Sequence, residues 1–164
     1  DATLEEELEA VDNYIYILNV RFAGDIHFSK KVECDVENVR VPSMILQPVV
    51  ENAVNHGIRN IDWEGHIDLS VERWNDHIEI SVRDNGLGMT GEQIQRVLSK
   101  KVHSSSGEGD STGIGMNNVI SRLELYYERD GLMEIYSEGE GMGTEVVINI
   151  PLERSEKNVQ NPDC

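Results

Sequence analysis

"HIEISVRDNGLGM", residues 77–89, alternates apolar and polar side chains up to a carboxylate and then breaks into glycine. Ile78, Ile80 and Val82 fall on one side of an extended chain and Glu79, Ser81 and Arg83 on the other, which predicts a strand with one buried face. That strand ends on Asp84, in a chain with a net charge of -17, and Gly86 and Gly88 follow. Two readings of residues 84–89 stand side by side. One is an Asp-Asn-Gly turn. The other is a pocket whose carboxylate accepts hydrogen bonds from an exocyclic amine and repels a carbonyl oxygen, favouring adenine over guanine. Glycines without a Cβ would let a flat purine approach the backbone there.

Working outward, "HIDLSVERW" (66–74) predicts a second strand, joined to the first by a two-residue turn at Asn75-Asp76. "DIHFSKKVECDV" (25–36) alternates Ile26, Phe28, Val32, Cys34 and Val36, with Lys30 breaking the stripe, and reads as one strand at a sheet edge. "TLEEELEAVDNYIYILNVRF" (3–22) predicts a helix opened by a capping box of Thr3 and Glu6. Its Leu4, Leu8, Val11, Ile15, Leu18 and Phe22 repeat every 3.5 residues on average. That stripe either packs on this domain's own sheet or forms a seam with a partner or longer helix. Downstream, "TGEQIQRVLSKK" (90–101) and "GMNNVISRLELYYE" (115–128) predict helices around the polar loop "HSSSGEGDSTG". "LMEIYSEGEGMGTEVVINI" (132–150) predicts two strands about a glycine-rich turn, followed by a fraying tail. The order indicates an α+β fold with helices on one face of a mixed, mostly antiparallel sheet.

With 164 residues the chain is expected to form one domain. No apolar run approaches the ~20 residues that a membrane span needs. Thirty-one acidic against fourteen basic residues repel nucleic acid and anionic membranes. Cys34 and Cys164 read as free thiols in a reducing compartment. Any polyanionic ligand has to be held by local dipoles or a metal.

Two further segments carry chemistry. In "PSMILQPVVENAVNHG" (42–57) a broad apolar face, including Ile45, Val49 and Ala53, opposes Glu51, Asn52, Asn55 and His56. Asn52 and His56 are one turn apart and can address one ligand. The polar row is either a solvated face or a functional one. Pro48 implies a kink or a late start, and Gly57 a C-cap. In "STGIGMNNVISRL" (111–123), Gly113 and Gly115 lie where a loop enters a helix, with Asn117 and Asn118 near its first turn. Helix N-termini present free N–H groups and partial positive charge to phosphate. There is no G-x-x-x-x-G-K-[ST], which excludes a P-loop, and no G-x-G-x-x-G after a strand.

Taken in order, "LQPVVENAVNHG", "DNGLGM", "GIGMNNVISRL" and "GMGTEVVINIP" resemble the ATP-binding domain of two-component sensor histidine kinases, in the LytS/YesM-like subfamily. The wider superfamily includes gyrase B, the ninety-kilodalton heat-shock chaperones and MutL. The resemblance runs from about Thr3 to Pro151. It implies a Bergerat fold, a two-layer α/β sandwich with ATP between the N-box helix and a lid. It divides the chain into a helix at 1–22 leading from a dimerisation and phosphoacceptor region, an ATP-binding domain at 23–152, and a disordered tail at 153–164.

By motif, Asn52 would coordinate Mg²⁺, with His56 and Asn55 near the phosphates. Asp84 would accept from the adenine amine, in a pocket shaped by Gly86 and Gly88 and supported by Thr144. Gly113 and Gly115 would hinge a lid at about 90–112 and bring N–H groups to the phosphates. Many relatives carry a glutamate base four residues before the N-box asparagine. Pro48 stands there, which leaves Glu51, about 100° round an ideal helix, as the candidate base. The subfamily's phosphoacceptor lies in a P-H-F-x-x-N context that His27, His56, His66, His77 and His103 all lack.

The implied activity is ATP–Mg²⁺-dependent phosphorylation of a histidine outside this sequence, then of a response regulator. The whole protein would be a homodimeric integral membrane sensor with this domain in the cytoplasm. Two other readings are a nucleotide-sensing or docking module of the same fold and an anti-sigma-type serine kinase.

Overall fold

The computed structural model describes residues 1–22, 26–99 and 111–152, with side chains from residue 115 onward in the last stretch. Five strands form one sheet in the order β2-β4-β5-β7-β6, comprising β2 (Ile26–Val32), β4 (Gly65–Arg73), β5 (His77–Asp84), β6 (Met133–Tyr136) and β7 (Thr144–Pro151). Only β2 and β4 run parallel; the other three pairings are antiparallel. β4 and β5 meet at Arg73↔Ile78, and the Trp74 N–H bonds the His77 carbonyl, so Asn75-Asp76 is the two-residue turn expected. β2 is an edge strand but stops at Val32, short of Cys34 and Val36. A second, two-stranded sheet pairs β1 (Ala2–Thr3) with β3 (Arg40–Val41), too short to leave an alternating signal.

One face of the large sheet is buried. Ile67, Leu69 and Val71 of β4 meet Ile78, Ile80 and Val82 of β5 and Val146, Ile148 and Ile150 of β7 in a single apolar core. The helices that cover it are α1 (Leu4–Arg21), α2 (Gln47–Asn52), α3 (Gly91–Leu98) and α4 (Ser111–Tyr127). The Thr3/Glu6 capping box opens α1. Leu4, Leu8, Val11 and Ile15 sink into the core, which resolves the 3.5-residue stripe in favour of the domain's own packing. The stripe fades at its end, where Phe22 is 41% exposed.

Gln47 is the first residue of α2, so Pro48 falls in the first turn, where its absent N–H forfeits no helical bond. No side chain of α2 caps it. Instead Glu7 of α1, only 5% exposed, accepts the backbone N–H groups of Met44, Ile45 and Leu46 at 2.6, 3.1 and 3.1 Å. Arg122 of α4 donates to the carbonyls of Ser43 and Met44 in the same turn. Three helices are thus tied at one point, and Met44 is held there at a φ of 61°.

Candidate nucleotide site

α2 does not end at Asn52. It loosens into a π-helix over Ala53–Ile58, with the Arg59 N–H reaching back to the Val54 carbonyl. Wide turns of this kind recur at functional sites. Gly57 lies inside it, with no positive φ, and is therefore not the C-cap that its position suggested. Its physical requirement comes from across the fold. A Cβ on Gly57 would stand 2.7 Å from the Asp84 carboxyl carbon, and one on Gly86 would stand 1.9 Å from the Gly57 carbonyl oxygen. The Leu87 N–H donates to that same carbonyl at 2.9 Å.

Asp84 closes β5 opposite Thr144, the first residue of β7, and both are 7% exposed. The Asp84 carboxylate accepts the Gly86 N–H at 2.9 Å and the backbone N–H of Thr144. Among the described residues no cation pairs with it. Burial pushes its pKa up to about 6, against the opposing pull of those two N–H groups. A buried carboxylate without a counter-ion is costly unless a ligand uses it.

The surrounding turns are packed backbone to backbone. Gly143, at φ +74°, would place a Cβ 2.2 Å from the Asp84 carbonyl oxygen, and its N–H donates to Gly86 at 3.1 Å. Gly88, at φ +75°, would place one 2.1 Å from the Gly139 carbonyl oxygen. The Ser137 hydroxyl donates to the Gly143 carbonyl at 2.6 Å and accepts the Met89 N–H at 3.0 Å. Asn85 faces the other way, bonding the His66 N–H and the Glu64 carbonyl. Gly86 and Gly88 are therefore demanded first by chain packing, whatever a ligand adds.

The remaining expected residues divide. Asn52 is half-buried, and its Oδ1 is fully enclosed and accepts no hydrogen bond among the described residues. Asn117 on α4 is in the same condition at 9% exposure. An orphaned amide oxygen is a hard donor of the kind Mg²⁺ takes, so Asn52 fits that ion. Among the described residues no group of three or more His, Cys, Asp or Glu could hold a metal. Phosphate oxygens and water would have to supply the other ligands.

His56 and Asn55 are exposed on the π-helix, and Asn55 lines a cavity away from Asp84. Glu51 accepts the Gln47 side-chain amide at 3.0 Å. Its charge also reaches Tyr14 on α1, whose hydroxyl pKa is raised chiefly by burial and secondarily by Glu51, with Arg59 opposing.

Gly113 and Gly115 lie within the first turns of α4, which is described from Ser111 onward. The helix extends back from Met116, Val119, Ile120 and Leu123, whose burial offsets about 1 kcal/mol lost per interior glycine. Among the described residues, a Cβ on Gly115 would meet nothing within 4 Å. Of the expected lid, residues 91–98 form α3 behind a Thr90/Gln93 capping box, and 100–110 lie outside the described residues. The expected tail at 153–164 lies outside them too.

α2 packs between α1 and α4, and the π-helix rests on β4 and β5. The fold thus brings Asn52, Asp84, Thr144 and the start of α4 into neighbouring elements. Glu7, Ser137 and the packing roles of Gly57 and Gly143 were missed. "GMGT" was a usable signal for Gly143, since it sits beside Thr144.

A buried carboxylate at a strand end, a glycine-only junction with the preceding helix and an orphaned asparagine on that helix meet in neighbouring elements. Residues 40–154 match the family of histidine kinase-, DNA gyrase B- and HSP90-like ATPases, and the chain belongs to it, as an ATP-binding domain.

Its relatives include LytS sensors. It is 28% identical over 163 residues to the sensor protein LytS of Staphylococcus saprophyticus, covering 99% of this chain and 27% of that protein. It is 31% identical to the sensor histidine kinase/phosphatase LytS of Staphylococcus aureus, covering 94% of this chain and 26% of that protein. Identity to the sensor histidine kinase YpdA of Escherichia coli is also 31%, over 93% and 25%. The chain spans about a quarter of the length of these relatives.

In fold it is similar to the catalytic domain of the histidine kinase ThkA, with a TM-score of 0.59 at 21% identity, over 88% of this chain and 93% of that one. A mycobacterial sensor histidine kinase, MprB, gives 0.59 at 19% over the same shares. Both show the α+β architecture alone.

Proposed function

We propose that this chain is the ATP–Mg²⁺-binding catalytic part of a sensor histidine kinase, which donates the γ-phosphoryl group to a histidine outside this sequence. The observation that carries the reading is Asp84, a 7%-exposed carboxylate without a cation partner among the described residues, enclosed by Gly57, Gly86 and Gly143. Asp84 accepts the adenine amine and rejects a carbonyl at that position. Thr144 supports it through its backbone N–H.

Asn52 offers its oxygen to Mg²⁺, and the α4 N-terminus with Gly113 and Gly115 offers N–H groups to the phosphates. Bound Mg²⁺ would offset triphosphate charge; the protein's own share of the chemistry is positioning. His56 and Asn55 stand at the exposed rim of the same helix. No proton transfer is assigned to Glu51, whose carboxylate accepts the Gln47 side-chain amide.

The phosphoacceptor, a dimerisation segment and a response regulator are the partners this reading requires. It places the domain in the cytoplasm, where ATP and the regulator are found. No helix among the described residues is long and apolar enough to cross a membrane. Calorimetry with ATP, GTP and ADP, each with and without Mg²⁺, tests the site. ATP and ADP should bind and GTP should not. Phosphohistidine should form only when a dimerisation segment is added in trans, and its formation on this chain alone would contradict the proposal.

A further inference from the structure

A cavity apart from the nucleotide site opens on the other side of the π-helix. It encloses about 650 Å³ between the end of α1, the start of β2, the π-helix and the segment entering β4, and neither Asp84, Gly86 nor Thr144 lines it. That volume lies within the ~300–1,000 Å³ range of small-molecule sites. Leu18, Phe22, Ile58, Ile61 and Trp63 supply apolar wall, and Phe22 and Trp63 remain 41% and 43% exposed.

Two guanidinium groups, Arg21 and Arg59, also line it. Neither has an ion-pair partner among the described residues, although acidic residues outnumber basic ones by 31 to 14. Glu64, the one carboxylate of the wall among the described residues, is engaged by His27 at 2.5 Å. Each arginine lies at the C-terminal end of a helix, where the dipole favours a cation. The dipole does not require both to face one cavity.

We infer that this cavity is a second ligand site, for a small amphipathic anion such as an aromatic carboxylate or sulfonate. The apolar body fills the space beside Trp63 and Ile61, and the acid group pairs with Arg21 and Arg59. The site adjoins the nucleotide machinery. The π-helix that lines it also carries Gly57, and the Trp63 indole N–H donates to the Asn85 carbonyl at 2.7 Å, one residue past Asp84.

The probe is 1-anilinonaphthalene-8-sulfonate, titrated into the 164-residue chain carrying Trp74→Phe, so that Trp63 is the sole tryptophan. The expected result is saturable one-to-one binding that quenches Trp63 and persists under saturating ATP–Mg²⁺. Arg21→Gln/Arg59→Gln should weaken it at least about tenfold, with an unaltered thermal melt. The paired Arg→Lys variant, which keeps both charges, should bind within a few-fold of the parent. Three outcomes would overturn the inference: affinity indifferent to the arginines, equal loss in the Lys and Gln variants, or displacement of the probe by ATP. Failure of ATP to bind at all would sink the proposed function and leave this result standing.

Discussion

Gly57 and Asp84 touch across the junction of the π-helix and β5, at a separation that leaves no room for a methyl group: a Cβ on Gly57 would lie 2.7 Å from the carboxyl carbon and from Oδ1. The helix carrying Asn52 and the strand carrying Asp84 are thereby locked into one register. Gly57→Ala should displace the carboxylate or the helix, destabilising the fold by about 1–3 kcal/mol and abolishing measurable ATP binding. Thermal melts and calorimetry check both, and near-parental affinity would show that the contact is not required.

Asp84→Asn separates binding from stability. An amide presents an N–H where the adenine amine must donate, and the mispaired contact should cost about 1–3 kcal/mol of ATP affinity. Without ligand the sign reverses. The Asp84 pKa is raised to about 6, so its stabilising contribution is complete below the unfolded value of about 3.8 and is lost as pH rises through 6. At pH 8 the free variant should therefore melt higher than the parent, by an amount corresponding to about 1–2 kcal/mol once the two lost N–H acceptances are deducted. A lower melting temperature at pH 8 would mean that the carboxylate is structural.

ATP binding should also report this titration. An adenine amine stabilises the ionised carboxylate, so the bound pKa falls below about 6 and affinity declines as pH drops from 7 to 5. Proton release on binding near pH 6, measured by calorimetry in buffers of different ionisation enthalpy, should exceed that of Asp84→Asn. Identical pH profiles for the two proteins would remove Asp84 from the adenine contact.

Asn52→Ala removes an oxygen that accepts no hydrogen bond among the described residues. Folding stability should change little. Binding of ATP in the presence of Mg²⁺ should weaken about tenfold or more, and binding in chelator far less. Equal losses under both conditions would argue for a phosphate or base contact instead.

Glu7→Ala tests the scaffold at a point remote from chemistry. It strips the acceptor from three backbone N–H groups at the start of α2, two of them buried, and should cost about 2–4 kcal/mol. Denaturant unfolding measures this directly. Glu7→Gln, which keeps one acceptor oxygen, should lose less.

Much of this molecule was legible in its residue order because local rules govern it. Period-two alternation marked β4 and β5, a capping box marked α1, and Pro48 marked a late helix start. Motif order named the family that residues 40–154 match. The sequence also pointed to Asp84, since a carboxylate ending an apolar strand is an anomaly that hydrophobic patterning exposes.

What only tertiary structure decided depends on distances between segments remote in the chain. Gly57 reads locally as a cap, and only Asp84, pressed against it, shows why no side chain is tolerated. Glu7 reads as one more surface acid on an acidic helix until α2 delivers three unpaired N–H groups to it. Arg21 and Arg59 are unremarkable until the fold turns both into one cavity. In each case the governing energy is steric exclusion, hydrogen-bond satisfaction or unpaired charge. Such terms exist only once two distant stretches of backbone have been brought together.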